Sequence, residues 1–284
     1  MSRALLWPAL GVTIALTQLP FISTIIFSFQ NWNLLRPADR GFAGLGNYAE
    51  VLTDADFYGS VVSTVVITGG SVILSLAIGL FIALLLNRPF PGQWLARTLL
   101  ITPFLVMPAA AALIWKWSIL DANFGVLNWA ISAVGLPQVA WNTDYPVVTI
   151  VMVLTWQYTP FMMLILLAGL QSQSPDILEA ASVDGAGRVR IFRSLTLPHL
   201  RQYIELAALL GSITLLQVFD PVTIMTGGSG GTTTLSYLLY EKAFIGLDIG
   251  VASAYGVVTV IITIAVATVA LRLLFKIFST DGLK

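Results

Sequence analysis

Apolar positions along the chain gather into six runs, Leu5–Phe29, Val61–Leu86, Thr98–Leu120, Val147–Leu170, Ile204–Met225 and Val251–Leu274, each with little or no charge. A bilayer core about 30 Å thick is crossed by about 20 helical residues, and every run reaches that length. None alternates apolar with polar positions over the roughly ten residues of a transmembrane β-strand. The pattern predicts an all-α integral membrane protein with six transmembrane helices. No linker or internal repeat divides residues 1–284, so one membrane domain is expected.

The polar residues between the runs orient them. Lys and Arg accumulate on the cytoplasmic side of membrane proteins. With the N-terminus inside, the inner segments hold Arg3, Arg88, Arg97, Arg188, Arg190, Arg193, Arg201, Arg272, Lys276 and Lys284, whereas the outer ones hold Arg36, Arg40 and Lys242 beside eight acids. Both termini are therefore expected in the cytoplasm and the protein in the cytoplasmic (inner) membrane, in contact with lipid. Arg3 before an apolar run is also how a secretory signal peptide begins. Leu5–Phe29 exceeds the usual apolar region of about 7–15 residues and no A-x-A site follows, so retention as a helix is expected. Lys116 stands between Trp115 and Trp117 near the outer end of the third run, where snorkelling to the interface is the plainer role and a solute contact the other.

Composition agrees with the pattern: 57% of residues are hydrophobic and 10% charged. Fourteen cations balance fourteen acids, which leaves no basic footprint for nucleic acid. Cysteine is absent and His199 is the single histidine, so thiolate sites, histidine metal clusters and Ser-His-Asp triads have no material, and no catalytic residue or metal ligand is expected. No G-x-x-x-x-G-K-[ST] phosphate loop occurs, so any nucleotide is bound by another chain.

The segment from 171 to 203 is too long for a turn. Ser174-Pro175-Asp176 opens a helix and Gly185 stops it, predicting a short helix over Pro175–Asp184. Ala180, Ala181 and Gly185 are small enough for another backbone to approach, and Ile177, Leu178 and Val183 offer surface to bury. A second helix over Arg188–Leu195 is expected to end before Pro198. These features fit a knob gripped by a partner and equally a hairpin drawn to anionic lipid by Arg188, Arg190 and Arg193.

The string Glu179-Ala180-Ala181, Gly185 and, after the intervening residues, Leu197-Pro198 resembles the EAA signature of the membrane subunits of binding-protein-dependent ABC importers; Leu195 replaces the family's isoleucine. Phe42-Ala43-Gly44-Leu45-Gly46-Asn47-Tyr48, Ala168-Gly169-Leu170-Gln171-Ser172 and Thr226-Gly227-Gly228-Ser229-Gly230 extend the similarity toward the carbohydrate and polyol branch. The resemblance implies a type I importer permease fold and makes Glu179, Ala180, Ala181, Asp184, Gly185, Leu197 and Pro198 the element that docks on a cytoplasmic ATPase. It also implies the partners: a second homologous permease subunit, two nucleotide-binding ATPase subunits that bind ATP and Mg, and an extracytoplasmic solute-binding protein.

For the solute, Trp156-Gln157-Tyr158 stands before Pro160 in the fourth run and combines aromatic surface with an amide and a phenol, as a sugar or polyol requires. Gln217 and Asp220 are three residues apart in the fifth run, on one face if the helix is regular. Asp220 precedes Pro221, which is expected to break that helix; a place in the solute pathway and a structural hydrogen bond both fit it. By position, the resemblance puts solute contacts at Gln157 and Tyr158 and around Ser212 to Gln217, with Phe104 in a third lining segment. Pro103 and Pro108 more readily mark a bend than a contact, and Leu154 stands where the family has a polar residue. The expected cavity lies between the third, fourth and fifth runs. An importer for another small polar solute and an ion-coupled secondary transporter carrying protons on Asp220 remain as alternatives.

Overall fold

The computed structural model describes residues 6–279; the expectations on Arg3, Leu5 and Lys284 lie outside them. The elements in chain order are α1 (Leu6–Ser28), β1 (Gln30–Asn31), β2 (Gly41–Phe42), α2 (Gly46–Thr53), α3 (Ala55–Leu86), α4 (Gln93–Leu105), α5 (Pro108–Leu113), α6 (Val126–Ala133), α7 (Trp141–Asp144), α8 (Pro146–Gln171), α9 (Pro175–Val183), α10 (Arg188–Ile191), α11 (Leu197–Leu215), α12 (Leu235–Tyr240) and α13 (Ile249–Ser279). Wider π-helical turns extend α5 over Ile114–Ile119, join α10 to α11 over Phe192–Thr196, and occupy Val222–Thr226 and Glu241–Ile245.

Four described helices are long and apolar enough to cross a membrane: Leu10–Ser28, Ala55–Leu86, Pro146–Gln171 and Ile249–Val269. The third run forms two helices, α4 and α5, that meet at 95° and count as a fifth crossing if taken together. Met107 is the cause. A residue before proline is pushed out of the helical region, and Met107 is extended at φ −58°, ψ 135° with Pro108 opening the next helix. The fifth run behaves differently from a plain span, because α11 begins seven residues earlier, at Leu197, takes in Arg201 and Glu205, and stops at Leu215.

One compact unit comprises Met1–Val61 and Leu235–Ala265. β1 and β2 pair antiparallel, Gln30 opposite Phe42 and Asn31 opposite Gly41. Asn47 fixes the chain that leaves α1: its Nδ2 donates to the carbonyls of Ser28 and Gln30, both at 2.9 Å. The Tyr48 and Ser28 hydroxyls share a hydrogen bond of 2.6 Å. Val51, Phe57, Leu235, Leu238, Val251, Ala254 and Tyr255 form the core.

The second unit comprises Val62–Thr234 and Val266–Lys284. Its core is Ala83 and Leu86 from α3, Met163, Leu166, Leu167 and Leu170 from α8, and Leu200 and Ile204 from α11. Glycines permit the approach, as small residues do between membrane helices. A Cβ on Gly79 would stand 3.0 Å from the Met163 amide nitrogen, and one on Gly211 would occupy the place of the Met162 methyl. Where helices end, side chains take the freed carbonyls, as a medium without water demands. Thr68 Oγ1 donates to the Leu215 carbonyl at the end of α11 (3.2 Å), and Gln93 and Arg97 donate to the Leu86 carbonyl at the end of α3 (2.7 and 3.3 Å).

Candidate functional site

The segment between α8 and α11 carries the first group of expected residues. α9 forms as Pro175–Val183, with Pro175 in its first turn. Its end is a double closure: the Ala186 N–H reaches the Ala181 carbonyl at 3.0 Å and the Gly185 N–H the Ser182 carbonyl at 3.1 Å. That closure requires a left-handed residue, and Gly185 supplies it at φ +82°. Glu179, Ala180, Asp184 and Gly185 are exposed and Ala181 is half-buried, so the helix stands out from the bundle. Val183, at the end of α9, is 86% exposed and Val189, in α10, 67%.

The expected stop before Pro198 does not occur. α10 passes through the turn Phe192–Thr196 into α11, with Leu197 and Pro198 in the first turn of α11. In that turn the Leu197 N–H bonds back to the Phe192 carbonyl, five residues away. The extra residue widens the helix just ahead of the proline, where its ring would otherwise meet a carbonyl. Helix thus continues from Arg188 to Leu215.

The second group sits around α8, and its three consecutive members face three ways. Successive helical residues are about 100° apart, so neighbours in sequence do not share a face. Trp156 meets Trp115 edge-on, centroids 5.7 Å apart, and borders a cavity of about 540 Å³. Tyr158 meets Phe104 edge-on at 6.1 Å, and Phe104 stacks on Phe161 at 5.3 Å. Gln157 is buried, and its Nε2 donates to the Val106 carbonyl at 2.9 Å. This is a carbonyl set free by the 95° bend, and the amide closes it; Gln157 Oε1 is buried with no partner among the described residues.

The cavity lies between Leu74 and Ile78 of α3, Leu99 and Pro103 of α4, and Val148 and Trp156 of α8, with no lining residue from the fifth run. The face of α8 at Val148, Met152, Thr155, Thr159 and Met163, spaced at three and four residues, looks toward α3 and α4. Gln217 and Asp220 do not share a helical face either, since α11 ends at Leu215. Gln217 is exposed and its Nε2 bonds to the Ile213 carbonyl at 3.2 Å, while Asp220 and Ser212 are half-buried. The break expected at Pro221 occurs just before Asp220, over residues 216–219.

Sequence reading missed two linkages. Lys116 Nζ donates to the Ile224 carbonyl at 2.6 Å. His199 and Tyr203 meet Ser172 at 3.0 and 2.9 Å. Only the rarity of a lysine and a single histidine in so apolar a chain could have drawn attention to them.

The family described as "Binding-protein-dependent transport system inner membrane component" matches residues 75–280. A probable ABC transporter permease of Sinorhizobium fredii is 35% identical over 273 residues, covering 95% of this chain and 88% of that one. The trehalose/maltose transport system permease MalF of Thermococcus litoralis is 34% identical over 277 residues, covering 96% and 92%. The fold matches a chain in the crystal structure of a bacterial ABC transporter involved in alginate import, with a TM-score of 0.82 and 20% identity over 98% of this chain and 96% of that one. The chain therefore belongs to the binding-protein-dependent transport system inner membrane components, which are transport subunits and not enzymes.

Proposed function

We propose that this chain is one of two permease subunits of an ATP-driven importer for a sugar, sugar derivative or polyol in the inner membrane. The exposed α9, closed at Gly185 and joined through residues 184–187 to the unbroken helix from Arg188 to Leu215, is the observation that carries this reading. Such a knob suits a cleft on a cytoplasmic ATPase subunit, where ATP and Mg bind, and Glu179, Ala180, Ala181, Asp184, Gly185, Leu197 and Pro198 belong to it or its root. Six crossings with both termini in the cytoplasm put α9 on the side where ATP is. The crossings are α1, α3, the bent pair α4 with α5, α8, α11 together with its outer continuation, and α13. A solute-binding protein delivers solute from the other side, and closure of the ATPases turns the spans between outward and inward access.

The sugar class rests on the relatives. MalF of Thermococcus litoralis is a trehalose/maltose permease, and SmoG of Agrobacterium fabrum, 34% identical over 278 residues, is a sulfoquinovosyl glycerol permease. For solute contact we assign Phe104 and Tyr158 as apolar faces for sugar C–H groups and Gln157 Oε1 as a hydrogen-bond acceptor in the region of the α4–α5 bend, with Trp156 on the separate surface that borders the cavity. Ser212 in the last turn of α11, and Gln217 and Asp220 beyond it, line the continuation of the path.

The test replaces Gly185 with valine in the assembled importer. Valine disfavours φ +82°, so the end of α9 is displaced while no neighbour within 4 Å is struck. ATPase subunits are expected to dissociate on purification and uptake into proteoliposomes to stop. Retention of the ATPases with undiminished uptake overturns the reading.

A further inference from the structure

The two feet of the segment between α8 and α11 are unlike. On one side residues 184–187 join α9 to α10, and helix is then continuous from Arg188 to Leu215. On the other, α8 ends at Gln171 and α9 starts at Pro175, leaving Ser172, Gln173 and Ser174 as a non-helical connector. A force applied to α9 can be lost in bending such a connector.

Three side chains bridge the weak foot to the strong one. The Gly169 carbonyl lacks its ordinary helical partner, because the Gln173 N–H points to the Leu170 carbonyl instead. Ser172 Oγ donates to the Gly169 oxygen at 2.9 Å, and His199 Nε2, from the first turn of α11, lies 3.1 Å from it. A carbonyl oxygen only accepts, so His199 carries a hydrogen on Nε2. Ser172 Oγ also lies 3.0 Å from His199 Nε2 and 2.9 Å from the Tyr203 hydroxyl, which donates to it. His199 and Tyr203, four residues apart, present both groups on one face of α11. Residue 169 has to be glycine for Tyr203 to arrive, since a Cβ there would stand 2.6 Å from the Tyr203 ring and 2.9 Å from Leu200. Beneath the polar contacts, Leu166, Leu167 and Leu170 pack with Leu200 and Ile204.

We propose that Ser172, His199 and Tyr203 are positioning residues that clasp the connector to the first turn of α11. The connector then moves as one body with α8 and the start of α11, so a push on α9 is not lost in bending it. This rests on the reading of α9 as the ATPase-docking element.

The experiment uses the complete importer, with its binding protein, in proteoliposomes, and measures solute imported per ATP hydrolysed. His199→Ala is expected to keep the ATPases bound and hydrolysing while the ratio falls several-fold. His199→Gln, whose amide Nε2–H can reach the same acceptors, is expected to restore most of it. Tyr203→Phe keeps the ring over Gly169 and removes the hydroxyl alone, so it reads the clasp even if His199→Ala fails to assemble; a reduced ratio is expected. An unchanged ratio in Tyr203→Phe and His199→Ala, or equal losses in His199→Ala and His199→Gln, overturns the proposal. Failure of the docking reading is distinguishable, because it shows as ATPases that stay bound and uptake that persists in Gly185→Val, whatever the clasp variants do.

Discussion

Lys116 and Ile224 are joined across the second unit: Nζ of the lysine donates to the isoleucine carbonyl at 2.6 Å. Ile224 lies in the turn Val222–Thr226, whose last carbonyls have lost their continuation because Gly227 turns left-handed at φ +58°. A cation at the C-terminal end of a helix is favoured by the partial negative charge there. The lysine also stands 5.5 Å from the centroid of the Trp117 ring.

Lys116→Met retains the aliphatic stem and removes the donor. The loss of a hydrogen bond from a charged group corresponds to about 1.5–3 kcal/mol, so the melting temperature of the purified complex is expected to fall. An unchanged melting temperature shows that the lysine only snorkels to the interface.

Gln157 is expected to behave as a structural donor before it behaves as a solute ligand. Gln157→Glu preserves size but an ionised carboxylate cannot donate to the Val106 carbonyl. Both Gln157→Glu and Gln157→Leu are expected to lower stability by about 1–3 kcal/mol, the cost of an unmade buried hydrogen bond. Differential thermal unfolding in detergent measures it, and a Glu variant as stable as the parent contradicts the assignment.

Gly79 and Gly69 lie ten residues apart on α3 and are expected to differ. Alanine at 79 places a methyl 3.0 Å from the Met163 nitrogen and 3.1 Å from the Met162 Cβ, and overpacking of this kind costs about 1–3 kcal/mol. Alanine at 69 meets nothing within 4 Å and gains up to about 1 kcal/mol of helix propensity. Thermal stability of the two single variants, compared side by side, checks the sign of each.

Asp54 gives the pH prediction. Burial alone would raise its carboxyl, but hydrogen bonds from the Tyr255 hydroxyl, Lys242 (3.0 Å) and the Asp56 amide (2.9 Å) hold it below the ordinary 3.8. A group with a depressed folded pKa contributes stability that is complete above its unfolded value and is lost as pH falls through the folded one. Melting temperature is therefore expected to be insensitive to Asp54 protonation near neutrality and to fall at pH below 3.8. Asp54→Asn is expected to be less stable at neutral pH and to lose less on acidification.

Much of this architecture was legible because membrane helices announce themselves by length, and helix punctuation by Pro and Gly. Pro175 and Gly185 delimited α9 to within one residue, and Pro103 with Pro108 foretold the bend. The run from Ile204 to Met225 was less clear, since apolarity does not record that the helix starts at Leu197 and unwinds after Leu215. Pro198 misled because the π-turn that absorbs it has no composition of its own. Around the candidate solute site, Trp156, Gln157 and Tyr158 read as one cluster in sequence but project to three different surroundings. Gln157, Lys116 and His199 each bond a backbone carbonyl, which carries no residue-specific signal.

α11 bears on how the protein is made. It carries Arg201 and Glu205, paired at 2.8 Å, and, although at 19 residues it is as long as the qualifying helix Leu10–Ser28, it is not apolar enough to qualify by itself. A nascent segment of this kind partitions poorly from the translocon into lipid unaided. Its apolar side closes on Met163, Leu166 and Leu170, and Gly211 makes room for Met162, all from α8, which is synthesised earlier. If α11 is one of the proposed crossings, its integration is expected to depend on α8, and lesions that loosen α8 are expected to leave it at the membrane surface.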